Sequence, residues 1–90
     1  MTHYVNHSDD ILVELSLLGD QAAFEELVMR HERAVLGTAL KVTENQFSAQ
    51  DASQDAFVSA WINLDQLKSR EKFGPWVCSI AKNKARTLLV

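Results

Sequence analysis

Ninety residues suffice for one domain, near the size at which a single apolar core holds without disulfides or a structural metal. Hydrophobic residues make up 47% of the chain against three glycines and one proline, too little turn punctuation for a sheet and suited to an all-α fold, a compact bundle of about four helices. The lone Cys78, the absence of any run of about 18 apolar residues and the polar, acidic start MTHYVNHSDD exclude an intrachain disulfide, a cysteine-based metal site and a membrane span, and lead us to expect a cytoplasmic protein without membrane attachment.

Residues 1–8 have no periodicity and are expected to be flexible. Ser8 then caps a helix over 9–18, with Asp9 and Asp10 in its first turn and Ile11, Leu12, Leu15 and Leu18 as its apolar side. Gly19 stops it. Asp20 caps a second helix over 20–42, in which Phe24, Leu27, Val28, His31, Val35, Ala39 and Val42 recur at three- and four-residue steps. Gly37 inside this helix costs about 1 kcal/mol against alanine, so it marks either a close backbone approach or a tolerated weak point. His31 has no second histidine or cysteine at ligand spacing and reads as a packing residue rather than a metal ligand.

The run TENQF is the first connection, with Phe47 placed to fold back as a hydrophobic staple. Ser48 opens the next helix, over 49–65, and Asp51 completes a variant of the capping box. Ala49, Ala52, Ala56, Phe57, Ala60, Trp61 and Leu64 form its inner stripe, small enough for neighbouring helices to approach, and the other helices are expected to pack around it. Its outer stripe is acidic and amide-rich: Gln50, Asp51, Gln54, Asp55 and, further on, Asn63. The short connection QLKSREK then folds a last helix, over 72–89, back against it, with Pro75 in the first turn and Phe73, Trp76, Val77, Ile80, Ala81, Ala85 and Leu88 inward. Phe24, Leu27, Val35, Phe57, Trp61, Trp76 and Ile80 are expected to share one core, with Phe73 and Trp76 structural rather than stacking platforms.

The net charge of −3 conceals a division. Residues 1–67 carry 11 acids against three bases, a net of −8, whereas residues 68–90 carry six bases against Glu71 alone, a net of +5. A basic end on an acidic protein can face a polyanion, because the local potential decides what meets it. The plainer reading is a C-terminal helix whose lysines and arginines favour its dipole.

Taken together, the stretches GDQAAFEELV, AQDASQDAFVSAW and KFGPWVCSIAKNKA resemble region 2 of bacterial RNA polymerase sigma factors, in particular the extracytoplasmic-function class. The resemblance covers residues 12–89 and rests on Gly19-Asp20, Ala23, Phe24, Asp51, Gln54, Phe57, Ala60, Trp61, Phe73, Trp76, Ile80, Ala81 and Asn83 in order and spacing. It departs at His31, where the family usually has an aromatic, at Asp55, usually glutamate, and at Thr87, commonly aspartate. The resemblance implies that residues 9–90 form the region 2 domain. The family's second helical domain, which reads the upstream promoter element, has no counterpart in these residues.

The resemblance further implies that Asp51, Gln54 and Asp55 bind the clamp helices of the largest subunit of core RNA polymerase, a role for which carboxylates facing arginines are chemically suited. It implies that Asn63, Leu67, the 68–72 loop with Lys68, Arg70 and Lys72, and Ile80 with Asn83 recognise and melt the minus-ten promoter element and hold an extruded base of the non-template strand. In that arrangement Asn83 reads the base edge while Lys82, Lys84 and Arg86 hold phosphates. The resemblance leaves room for an anti-sigma factor as a further partner, and no cofactor or metal is expected. A different class of function is a helical protein-interaction module without DNA contact. The two differ in whether the basic residues form one patch beside Asn83. An enzyme is disfavoured, since the sequence offers no paired acid and base, no activated nucleophile and no phosphate loop.

Overall fold

The computed structural model describes residues 4–89. Four helices make the domain: α1 (Asp9–Leu17), α2 (Gln21–Thr43), α3 (Gln46–Ile62) and α4 (Phe73–Thr87), with 3₁₀ turns at Leu64–Gln66 and Arg70–Lys72 between the last two. There is no strand among the described residues. The hub is α2, not α3 as the small-residue stripe suggested, for α2 packs on α1, α3 and α4 alike. Its 23 residues make it the one helix long enough to underlie all the others.

Local chemistry explains where the helices begin and end. Gly19 follows α1 with φ of 97°, a left-handed conformation that glycine adopts without strain. Asp20 caps α2 by accepting the Ala23 N–H at 3.2 Å, and the Tyr4 hydroxyl donates to its other oxygen. That hydroxyl, aided by the N–H groups of Ala23 and Ala22, holds the Asp20 carboxyl below the usual range although burial opposes the shift. Ser8 stands at the start of α1 as expected but makes no side-chain cap; its hydroxyl donates to Asp10 instead, at 2.5 Å.

The start of α3 corrects the sequence reading. Glu44 takes a left-handed conformation, φ 53°, so the chain reverses within two residues, and Asn45 caps α3 by accepting the Ser48 N–H at 2.9 Å. Ser48 is therefore the third helical residue, Asp51 belongs to no capping box, and Phe47, at 84% exposure, staples nothing. An asparagine one turn earlier is as good a cap as the serine, and only the reversal at Glu44 selects between them.

One core spans the four helices and contains Leu12, Val13, Phe24, Leu27, Val35, Phe57, Leu64, Phe73 and Val77. Phe73, fully buried, meets Phe24 edge-on at 5.9 Å, and Phe24 meets Trp61 at 4.9 Å. Trp61, Trp76 and Ile80 lie half-buried at the margin of this core rather than inside it. A small cluster of Ala39, Ala49, Ala52 and Ala85 brings α2, α3 and α4 together elsewhere. On α1 the buried residues are Leu12, Val13 and Ser16, one step round from the expected stripe: Ile11 and Leu18 are exposed, and Ser16 tolerates burial by donating to the Leu12 carbonyl at 2.7 Å.

The leading segment is not without contacts. Arg30 donates to the carbonyls of Tyr4 and Val5, to Asp9 at 3.1 Å and to Glu26 at 2.9 Å, and Tyr4 packs on the core. The lack of periodicity at residues 4–8 reflected a turn held by a partner far along the chain; residues 1–3 of the segment expected to be flexible lie outside the described residues. His31 packs beside Phe73 with ring centroids 5.6 Å apart, but it also pairs with Asp9, Nε2 to Oδ2 at 2.7 Å. Gly37 has open space where a Cβ would project. The close approach is at Gly74, in the first turn of α4.

Candidate functional site

Two surfaces collect the residues singled out by the sequence. The first is the outer side of α3. Gln54 and Asp55 stand three and four residues after Asp51, and all three are exposed, with Gln50 beside them. Neither carboxylate has a salt bridge within the described residues. The stripe continues into apolar side chains that the sequence reading passed over: Phe47 before it, Val58 (58% exposed) and Ile62 (68%) after it. Alongside runs an open groove of about 450 Å³ between α2 and α3, lined by Val28, Leu36 and Phe57 together with Glu32, Arg33 and Gln54. Isolated exposed apolar residues are ordinary, but here they extend a polar row on one helix face.

The second surface is assembled across the turn into α4. A groove of about 400 Å³ is lined by Gln66, Leu67, Lys68 and Ser69 from the connection, Lys72 before α4, and Pro75, Trp76 and Ser79 on α4. Leu67, Lys68 and Lys72 are thus brought together as expected. Trp76 joins them, so its half-buried ring has one side on the core and the other in the groove. The signal for Trp76, Pro75 and Ser79 was present in helical spacing, since residues 72, 76, 79 and 83 fall on one side of α4. Asn83 lies one turn beyond Ser79 on that side, exposed, its side-chain amide making no hydrogen bond among the described residues.

Other residues are placed differently. Asn63 ends α3, its amide donating to the Ser59 carbonyl at 3.0 Å while its oxygen receives Gln66 at 3.4 Å, so it shapes the turn and does not line the groove. Ile80 packs half-buried against the core. Arg70 turns to α1 and pairs with Glu14 at 2.8 Å. Arg86, three residues on, lies about 60° from Asn83 around α4, whereas Lys82 and Lys84, each one residue away, flank it at about 100° on either side. The cation on the Asn83 side of α4 is therefore Arg86, and those at the groove are Lys68 and Lys72. No group of three or more potential metal ligands occurs among the described residues, nor any helix long and apolar enough to cross a membrane.

The fold and these two surfaces define a small α-helical domain with one acidic-amide face and one cation-bordered groove. The chain belongs to the Sigma-70 region 2 family, whose profile matches residues 27–89. It is 39% identical over 80 residues to the RNA polymerase sigma factor NccH of Alcaligenes xylosoxydans xylosoxydans, covering 89% of this chain and 43% of that protein. It is 34% identical over 83 residues to the ECF RNA polymerase sigma-E factor of Escherichia coli strain K12, covering 92% of this chain and 43% of that one. The chain thus spans less than half the length of these relatives. In structure it is similar to an engineered region 2 of sigmaE solved by NMR in complex with GTAAAA, with a TM-score of 0.84 and 32% identity over 99% of this chain and 90% of that one.

Proposed function

We propose that this domain joins core RNA polymerase to the minus-ten element of a promoter and helps to open it, α3 holding the polymerase and the groove beside α4 holding the unpaired non-template strand. The observation that carries this reading is the groove itself: Lys68 and Lys72 border Leu67, Pro75 and Trp76, and Asn83 stands free one turn further along α4. Apolar walls suit the face of an unstacked base, an amide suits its edge, and the cations suit phosphate. The similarity to a region 2 in complex with GTAAAA supports an oligonucleotide-binding use of this fold.

On the other side, Asp51, Gln54 and Asp55 offer carboxylates and an amide to a basic helical partner such as the polymerase clamp, flanked by Val58 and Ile62, which add apolar contact area. An anti-sigma factor that competes for either surface would silence the domain, and the activity belongs in the cytoplasm, where the polymerase works. The module without DNA contact is less favoured, because Lys68 and Lys72 border one groove and Arg86 lies on the Asn83 side of α4 that runs on from it.

The test separates backbone contacts from base reading. Replacing Lys72 by alanine should weaken binding to all single strands alike and lower the salt slope by about 0.7. Replacing Asn83 by alanine should relax preference at one base by about 1–3 kcal/mol with the slope unchanged. Oligonucleotides varied one base at a time, with the chain alone and in the assembled holoenzyme, measure both. A uniform loss from Asn83→Ala would remove its base-reading role.

A further inference from the structure

We infer that His31 is a positioning residue for the groove, a spacer between α1 and the first turn of α4 that fixes where Pro75 and Trp76 stand; this rests on the proposed use of the groove. The ring cannot swing freely. Its Nε2 is 2.7 Å from Asp9 Oδ2, and the other Asp9 oxygen accepts Arg30 Nη1 at 3.1 Å. Arg30 is itself fixed by Glu26 and by the carbonyls of Tyr4 and Val5. On its other side the ring lies directly under Gly74: a Cβ built there would be 2.8 Å from Cε1 and 2.9 Å from Nδ1. Real Cβ atoms do not come that close, so any side chain at position 74 must displace either an anchored ring or the helix.

Gly74 is buried, and the next two residues of the same turn line the groove. The thickness of one imidazole ring therefore sets the height of the groove wall above α2. Neither His31 nor Gly74 lines the groove, so neither acts on a bound strand by contact.

The experiment uses Gly74→Ala, His31→Ala and the double variant, read by affinity for the oligonucleotide GTAAAA at a temperature where each is folded, and by the amide resonances of Leu67, Lys68 and Ser69 across the groove. Each single variant should lose affinity, on the order of tenfold for Gly74→Ala, with the salt slope unchanged because no phosphate contact is removed. The double variant should recover most of the loss, the added methyl occupying part of the space the ring vacated. Asp9→Asn, which weakens the anchor without adding volume, should shift the same three resonances less and serves if Gly74→Ala does not fold. Additive losses in the double variant, or unmoved resonances in Gly74→Ala and Asp9→Asn, would overturn the inference. If the unmodified chain fails to bind GTAAAA, the proposed function falls, while the resonances of Leu67, Lys68 and Ser69 still decide whether His31 positions the groove.

Discussion

The outer face of α3 and the groove beside α4 are built in opposite ways. Asp51, Gln54 and Asp55 lie on one helix, so periodicity alone brings them together, and none of them depends on a tertiary partner for its direction. The groove draws on a connection, a 3₁₀ turn and the start of α4, and its wall leans on a core phenylalanine and on a histidine from α2. A surface on one helix tolerates substitution at each position separately. A surface made across a turn inherits the stability of everything beneath it.

The severest way to break this comparison is to remove what the groove rests on. Phe73→Ala, at a fully buried ring, should cost about 3–5 kcal/mol in chemical denaturation, a large part of a small domain's stability. Trp61→Ala, at a half-buried ring, should cost less. A reversed order would show that the margin and the centre of the core have been exchanged.

The next test concerns α3 alone. Reversing both charges, Asp51→Lys with Asp55→Lys, should weaken binding to core polymerase by at least about tenfold. Because both side chains are exposed and unpaired, stability and affinity for GTAAAA should stay within experimental error. Polymerase affinity that survives in the folded variant would move the docking site away from this face.

Two smaller effects test the scaffold that the surfaces share. Gly37→Ala should stabilise the domain by about 0.5–1 kcal/mol, since α2 is helical there and nothing stands where the methyl would go; a loss instead would reveal a neighbour at that position. The last prediction is a pH dependence. The Asp20 carboxyl is held below its usual range, first by the Tyr4 hydroxyl, so its contribution is present above about pH 4 and lost as the pH falls through the lowered native value. Asn also caps helices, so Asp20→Asn should keep α2 and flatten the acid side of the stability profile in thermal melts. An equally steep acid limb in the variant would assign that limb to other carboxylates.

Much was written in the chain before any coordinate. The four helices, the stop at Gly19, the cap at Asp20, the return of the last helix against α3 and the exposed carboxylates all follow from helical period, from the conformational freedom of glycine and from the capping chemistry of short polar side chains. These are local properties, decided within about one turn. What tertiary structure alone decided has a common physical origin in contacts between residues far apart in sequence. The reversal at Glu44 chose Asn45 over Ser48 as the cap, Glu14 took Arg70 away from the groove, and Arg30 gathered the leading segment. The close helix approach fell at Gly74, over the anchored ring of His31, rather than at Gly37. Periodicity marks which side of a helix turns inward; which residue it meets there depends on how the helices cross, and that is fixed only when all four pack at once.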